Sequence, residues 1–461
     1  MSLLTTYIIY YSLFQKKIIP YSEIVNYLPI NAFGIFTTII RHKKLLKWPN
    51  DIHGCMGHWD KNFNILSKIE LHNQLLRSSI NALWKDNRRS YFAPIEMDPK
   101  SELKMSFMLK PIYKITNSGI IIELGQIFNN DIYGIIIQSG SKAATFLPNV
   151  FSSNTNWEKI LKDIKNKANI EEDEHYELFS YKTFQMSASF ISILTNHIHA
   201  SIQVTQFINF LLITMNNKLE FPLVYYCNNG KLEWNSSDDV RNIAIMGDLL
   251  KYITYFKQQK WSQKFIKKIS IILNNFEKYS AQALSFLGNA ILYNSKKRKI
   301  CEKLYKNFLT TDKDFGQPEI MIGLKYAECN VIFDDVQFNY SINDSIFRIN
   351  WVIQVLYAYN RHPTQEMILI VQQKVKSILS TPNIETNYLA VSFEALCYLY
   401  NIVKDLNILK YIFLLFVKLE HRKIIYYMGN KLYGLYPFLN KQSRIDITGH
   451  ITNGWLMLLK A

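Results

Sequence analysis

The hexapeptide Ile52-His53-Gly54-Cys55-Met56-Gly57 sets one thiol between two glycines, with an imidazole two residues before the sulfur and another, His58, three residues after it. A thiolate is the nucleophilic form of cysteine, and a neighbouring imidazolium lowers the pKa of a thiol that otherwise titrates near ~8.5. Nucleophilic chemistry at Cys55 therefore asks for His53 or His58 as its base. In an extended segment His53 and Cys55 point to one face, because strand side chains alternate with period two. The direction of His58 depends on the turn at Gly57. Gly54 and Gly57 let the main chain turn sharply or approach a ligand closely. The plainer alternative is a cysteine packing as a small apolar residue between turn-forming glycines. A metal site built from these three side chains lacks a fourth ligand at recognisable spacing.

Further along, Gly140-Ser141-Lys142 leads into Thr145-Phe146-Leu147-Pro148. The backbone amides of such a turn, helped by Lys142, can hold an anion, although a strand connection is the simpler role. Asp334, Asp335, Asp344 and Glu394 are candidate carboxylates for glycosidic chemistry in the mouth of a helical toroid. Helix caps and dipole partners are their commoner role. The cluster Lys296-Lys297-Arg298-Lys299 opens an amphipathic segment with apolar Ile300, Leu304 and Phe308. It reads as a solvated hairpin tip, and without aromatic platforms it is poor evidence for nucleic acid. His197 and His199 fall on different faces of a helix and receive no role.

Two spaced motifs carry a family resemblance. The hexapeptide resembles the signature Leu-Arg-Gly-Cys-Ile-Gly of the AMMECR family, preceded by the strand-like Phe33 to Ile40. It is followed by Asn81 to Asp86, Tyr91 to Ile95 and the strand-like Leu103 to Leu109. The second motif is Lys142 to Phe151, ahead of Trp157, Leu161 and Lys167-Ala168. The resemblance covers roughly residues 1–186 and implies an α+β domain whose Cys55 and Thr145 stretches line one cleft. It implies either a binding module or a Cys-centred enzyme. Two positions depart from the pattern: His53 stands where the family has Arg, and Lys104 where it has an acidic residue. Arg can grip an anion with two parallel hydrogen bonds and His cannot, which tilts the expectation toward a binding module.

The elements that position these residues are of two kinds. Gly119 to Leu124 and Tyr133 to Ser139 are β-branched runs bounded by turn residues and predict strands. Ile65 to Trp84 and Trp157 to Lys167 carry apolar residues at helical spacing. From about Asp238 onward, segments apolar nearly all round (Ala281 to Tyr293, Phe347 to Tyr359, Tyr388 to Tyr400) alternate with amphipathic ones (Trp261 to Leu273, Met367 to Leu379). A helix without a polar face must be enclosed by others. The expected architecture is therefore an α+β domain over 1–186, a connecting region over 187–237, and an all-helical hairpin-repeat domain over 238–461. That last domain is expected to close as an α/α toroid, with an open α-solenoid as the alternative. The connecting region is read as a helix from Ala188 to Met215 and a turn around Cys227 to Trp234. Three enclosed segments end in Tyr-Asn (Tyr293-Asn294, Tyr359-Asn360, Tyr400-Asn401), a stop signal because Asn tolerates the left-handed conformation.

The 461 residues are 48% apolar and carry a formal charge of +16, with heavy use of Ile, Asn, Lys and Tyr that coding bias explains. Five cysteines without a Cys-x-x-Cys pair disfavour a disulfide framework or zinc site and fit a reducing cytosol, with nuclear entry left open. No segment reads as a membrane span. The composition names no cofactor. The expected partners are a protein bound by the helical domain and a small-molecule or anionic ligand near Cys55.

Overall fold

The computed structural model describes the chain except residues 1–2, 18, 20, 42–51, 87–98, 153–154, 223, 227–231, 235–238, 256–258, 311–316, 330–343, 429–430, 437–441 and 461. Tyr91 to Ile95, Asp334, Asp335 and Cys227 lie outside the described residues. The chain divides into two compact units, Met1–Ile193 and Leu194–Ala461.

The first unit opens with helices α1 (Leu3–Phe14) and α2 (Tyr21–Ile24), strands β1 (Ala32–Ile40) and β2 (Ile52–Trp59), and helix α3 (Lys68–Trp84). Strands β3 (Glu102–Ile115), β4 (Ile120–Ile121), β5 (Gln126–Ile127), β6 (Gly134–Ser139) and β7 (Lys142–Phe146) follow. Helix α4 (Trp157–Ala168) and strand β8 (Glu177–Ser189) complete it. The main sheet is antiparallel in the order β2-β1-β3-β8-β6-β7, with β4 attached to β3 and β5 to β4. Helix α3 begins in a capping box, Ser67 accepting from the Glu70 amide while the Glu70 carboxylate accepts from Ser67. That arrangement satisfies two donors that a helix start leaves open. Leu71, Leu75 and Leu83 bury its apolar stripe, and the Trp84 indole N–H donates to the Ser12 carbonyl of α1 at 2.9 Å. Helix α4 packs Ile160 and Ile164 with Ile135, Ile137 and Leu178 of the sheet. The strand expected over Gly119 to Leu124 is shorter, because the chain turns into a 3-10 helix at Ile122 that ends on left-handed Gly125.

The second unit is largely helical. It contains α5 (His197–Thr214), α6 (Asp239–Tyr255), α7 (Gln259–Asn274), the short α8 (Ala281–Ser285) and α9 (Gly288–Ile291), and α10 (Lys297–Thr310). Then come α11 (Gln317–Tyr326), α12 (Ile346–Ala358), α13 (Gln365–Ser380), α14 (Thr386–Val403), α15 (Leu406–Arg422) and α16 (Ile445–Lys460). Helix α14 is buried along nearly its whole length and packs against α12, α15 and α16, as a helix without a polar face requires. The Tyr-Asn stop operates at Asn360, whose φ is 53°, whereas Asn401 lies inside α14, which ends on left-handed Lys404.

Three differences from the sequence expectations have physical causes. Strand β8 runs on to Ser189, and the next helix starts at His197, because Asn196 caps it by accepting from the amides of Ile198 and His199. The second unit also contains strands: β9 (Val224–Tyr226) pairs with β10 (Leu232–Glu233) and with β13 (Gln442–Arg444). Strand β11 (Ile424–Met428) pairs antiparallel with β12 (Lys431–Leu435). Finally, Cys301 and Cys329 form a disulfide with their Cα atoms 5.9 Å apart, which corrects the expectation of unpaired thiols. Scattered spacing hid the pair, since one partner lies in α10 and the other just beyond α11.

Candidate functional site

Cys55 sits on β2, the edge strand of the main sheet, directly opposite Thr38 of β1. The Thr38 hydroxyl donates to its sulfur at 3.1 Å. The Cys55 amide donates to the buried Asp86 carboxylate at 2.9 Å, just past the end of α3. This close approach is what Gly54 permits: a Cβ there would lie 2.0 Å from the Ala82 carbonyl oxygen. At Gly57 a Cβ would lie 2.4 Å from the Phe36 ring. Both glycines are thus required by packing on the two sides of the strand.

The two faces of the sheet separate the candidate residues. Thr37 bonds Ser78 of α3 at 2.9 Å, so Thr38 and Cys55 look the other way. The register slips between Ile39 opposite Gly54 and Ile40 opposite Ile52, leaving His53 as the extra residue of a bulge. A bulge breaks the alternation of side chains. His53 is therefore buried against α3 with its Nε2 3.1 Å from the Leu83 carbonyl oxygen. The shared face expected for His53 and Cys55 does not form. His58 follows the alternation of Gly54 and Met56 to the α3 side and is exposed there.

On the Cys55 side, Phe36 and Trp59 stack at 6.0 Å and join a cluster with Met108 and Tyr181. The Thr145 hydroxyl donates to the Ile135 carbonyl at 2.8 Å and lies 2.8 Å from the Tyr181 hydroxyl. Burial first, and then the nearby Cys55 sulfur, push the Tyr181 phenol well above its ordinary range, opposed by the Thr145 hydrogen bond. The two motif stretches thus reach each other through Tyr181. Lys104 lies opposite both Thr38 and Ser187, placing Cys55, Thr38 and Lys104 in one cross-strand row. Among the described residues, the fully buried Ser106 hydroxyl, two residues along β3 on the same face, and the Trp59 indole N–H have no hydrogen-bond partner.

The other predicted binding residues make contacts within the first unit. Lys142 pairs with Glu174 at 2.7 Å, and this bond with that of Ser139 holds the Glu174 carboxyl at about 2. Phe146 packs beside Phe151 at 4.9 Å with the Lys167 ammonium 4.4 Å above its ring, and Pro148 is buried. Asp344, just before α12, pairs with Arg348 of that helix at 3.3 Å. Glu394, in contrast, is buried and accepts from Asn350 at 2.9 Å, with His450 Nδ1 at 2.6 Å. Thr38, Asp86, Tyr181 and His450 carried no functional signal in the sequence, because their roles come from strand register and helix packing. Among the described residues, no group of three or more His, Cys, Asp or Glu forms a metal cluster, and no helix is long and apolar enough to cross a membrane.

The AMMECR1 family model matches residues 6–188. The first unit is an AMMECR1 domain. The match takes in the Cys55 strand, the Asp86 helix end and the Thr145 strand, so the AMMECR1 region holds every element of this site. No curated protein matches the chain. Among solved structures, it is similar to an unsaturated glucuronyl hydrolase mutant from Streptococcus agalactiae at 13% identity and TM-score 0.38, covering 57% of this chain and 92% of that one. It is similar also to a family 76 glycoside hydrolase from a bovine Bacteroides thetaiotaomicron strain at 9% identity and TM-score 0.26, covering 73% and 79%. Likenesses this distant carry no argument about activity.

Proposed function

We propose that the AMMECR1 unit is a binding module that receives a small anionic ligand, or an anionic group of a protein, along the row Cys55–Thr38–Lys104. The observation that carries this reading is the bulge at His53. It sends that imidazole to the Leu83 carbonyl while His58 follows the opposite face, so the sulfur has neither expected base on its own side. Lys104, part-exposed opposite Thr38, supplies positive charge on the ligand face.

In this reading the second unit is the partner-binding half, its hairpins closing as an α/α toroid around α14. The enclosed α14 beside the half-exposed α13 and α15 supports an inner and an outer layer. A cytosolic location belongs to the proposal through the scattered cysteines without a Cys-x-x-Cys pair, while the Cys301–Cys329 disulfide weighs toward an oxidising compartment.

One observation favours a second reading, a Cys55 nucleophile: the Thr38 hydroxyl donates to the sulfur, as it would to a thiolate. Intact-mass measurement of the full chain recovered from its own cells separates the two. The binding reading expects an unmodified Cys55 and a non-covalent ligand that Lys104→Ala releases and Cys55→Ser retains. A covalent acyl adduct on Cys55 would sink it.

A further inference from the structure

The second unit contains a cleft of 530 Å³ between α6 and α7, with the segment 286–294 around α9 as its third wall. The wall is mostly apolar: Leu250 comes from α6, Ile266, Ile269 and Leu273 from α7, and Phe286 and Leu287 from the third side. A Cβ at Gly247 would meet the Phe286 carbonyl oxygen at 2.5 Å, so α6 lies directly against the chain just after α8 and the cleft has a floor. Two apolar side chains of the wall face water, Ile266 at 55% exposure and Tyr293 at 87%. Exposed apolar surface in a concave wall is what a ligand covers. Among the described residues, Lys251 is the one charged side chain of this wall. It is 36% exposed, and one of its three donors goes to Asp248 Oδ1 at 3.1 Å. Asp248 itself lies outside the wall, its other oxygen taking the Asn453 amide at 3.0 Å. Burial lowers the pKa of the Lys251 ammonium, but Asp248, and then Tyr326 and Glu394, raise it by more, so it is charged at neutral pH. The flanks have the same sign. Helix α7 contains no acidic residue and exposes Lys264 and Lys267, and exposed Lys296 reaches back to the Asn274 carbonyl at its end at 2.8 Å.

We propose that this cleft binds a single-chain amphiphile with one anionic head, of the fatty-acid class. The alkyl chain lies along the α6–α7 wall, and the carboxylate accepts from the Lys251 ammonium. Charge complementarity selects this occupant. A cationic amphiphile would bring its charge against Lys251 and the lysines of α7, and a neutral one would forgo the charge-assisted hydrogen bond. A small polar anion would leave the Leu and Ile wall uncovered. The volume lies within the range of roughly 300–1,000 Å³ that houses small-molecule ligands, so the cleft needs no protein partner to fill it. This site lies wholly within the second unit and is independent of the Cys55 row.

Isothermal titration calorimetry of the full chain with monomeric decanoate tests the assignment, with decanol, decyltrimethylammonium and acetate as comparisons. Decanoate should bind at least about tenfold more tightly than decyltrimethylammonium or acetate. Ser270 and Asn289 line the cleft and are exposed, so Ser270→Trp and Asn289→Trp fill it from the surface. Each should weaken decanoate binding about tenfold or more, with circular dichroism and melting temperature reporting that the variant is folded. Lys251→Gln should weaken decanoate by about tenfold and leave decanol unchanged, which separates the charge from the chain. Decanoate binding unchanged in both folded tryptophan variants overturns the proposal, as does decyltrimethylammonium binding as tightly as decanoate, or no decanoate binding by the native chain.

Discussion

The Nδ1 atom of His450 lies 2.6 Å from Oε2 of Glu394, an oxygen that also accepts the Asn350 amide at 2.9 Å. Burial pulls the imidazole pKa down, but the charge and hydrogen bond of Glu394, with Asp446 and Asp248 beyond, outweigh it and hold the pKa above 6.5. A folded-state pKa raised above the unfolded one means that the protonated form stabilises the fold. That contribution is complete below about pH 6.5 and disappears as pH rises through the raised value. Urea midpoints of the native chain should therefore fall on the alkaline side of 6.5, and His450→Gln should flatten that fall. Identical profiles for the two proteins would refute the pairing.

Gly54 and Gly449 make an opposed pair of substitutions. A Cβ at Gly54 meets the Ala82 carbonyl oxygen at 2.0 Å, a backbone atom that cannot swing aside, whereas one at Gly449 meets nothing. Gly54→Ala should destabilise by about 1–3 kcal/mol, the usual cost of overpacking. Gly449→Ala, inside helix α16, should gain up to ~1 kcal/mol from helix propensity. Denaturant titrations check both, and equal effects would refute the packing account.

Thiol labelling should distinguish Cys55 from Cys397, neither of which belongs to the disulfide. Cys55 is partly exposed at the sheet edge, while Cys397 is fully buried in α14, where burial and then Glu394 push its thiol well above the ordinary value. Iodoacetamide at neutral pH should alkylate Cys55 at least about tenfold faster than Cys397 in the folded chain. Peptide mapping after partial reaction gives the ratio, and comparable rates would show that the Cys55 sulfur is sealed.

The Cys301–Cys329 disulfide spans 28 residues. Closing a loop of that length in the unfolded chain is worth about 3–4 kcal/mol in the chain-entropy account. Reductant should lower the native denaturation midpoint and leave the Cys301→Ser, Cys329→Ser double variant unmoved. A native midpoint insensitive to reductant would mean that the thiols are unpaired, and would restore a reducing compartment.

What neighbours in the chain encode was legible without the fold. Ile135-Ile136-Ile137 makes a strand because β-branched residues suit a pleated sheet, and the stripe of α3 makes a helix capped by Ser67 and Glu70. The motifs around Cys55 and Thr145 named the AMMECR1 region. Only the tertiary structure decided which face each side chain takes and which distant residues meet. The bulge that carries His53 away from Cys55 is a property of register between two strands, and the joining of Val224 to Arg444 links segments far apart in sequence. Asp248, Glu319, Glu394 and His450 share one cavity because six helices pack around it. Local propensity depends on adjacent residues alone, whereas register and convergence depend on surface buried between elements, and no short stretch of sequence contains that information.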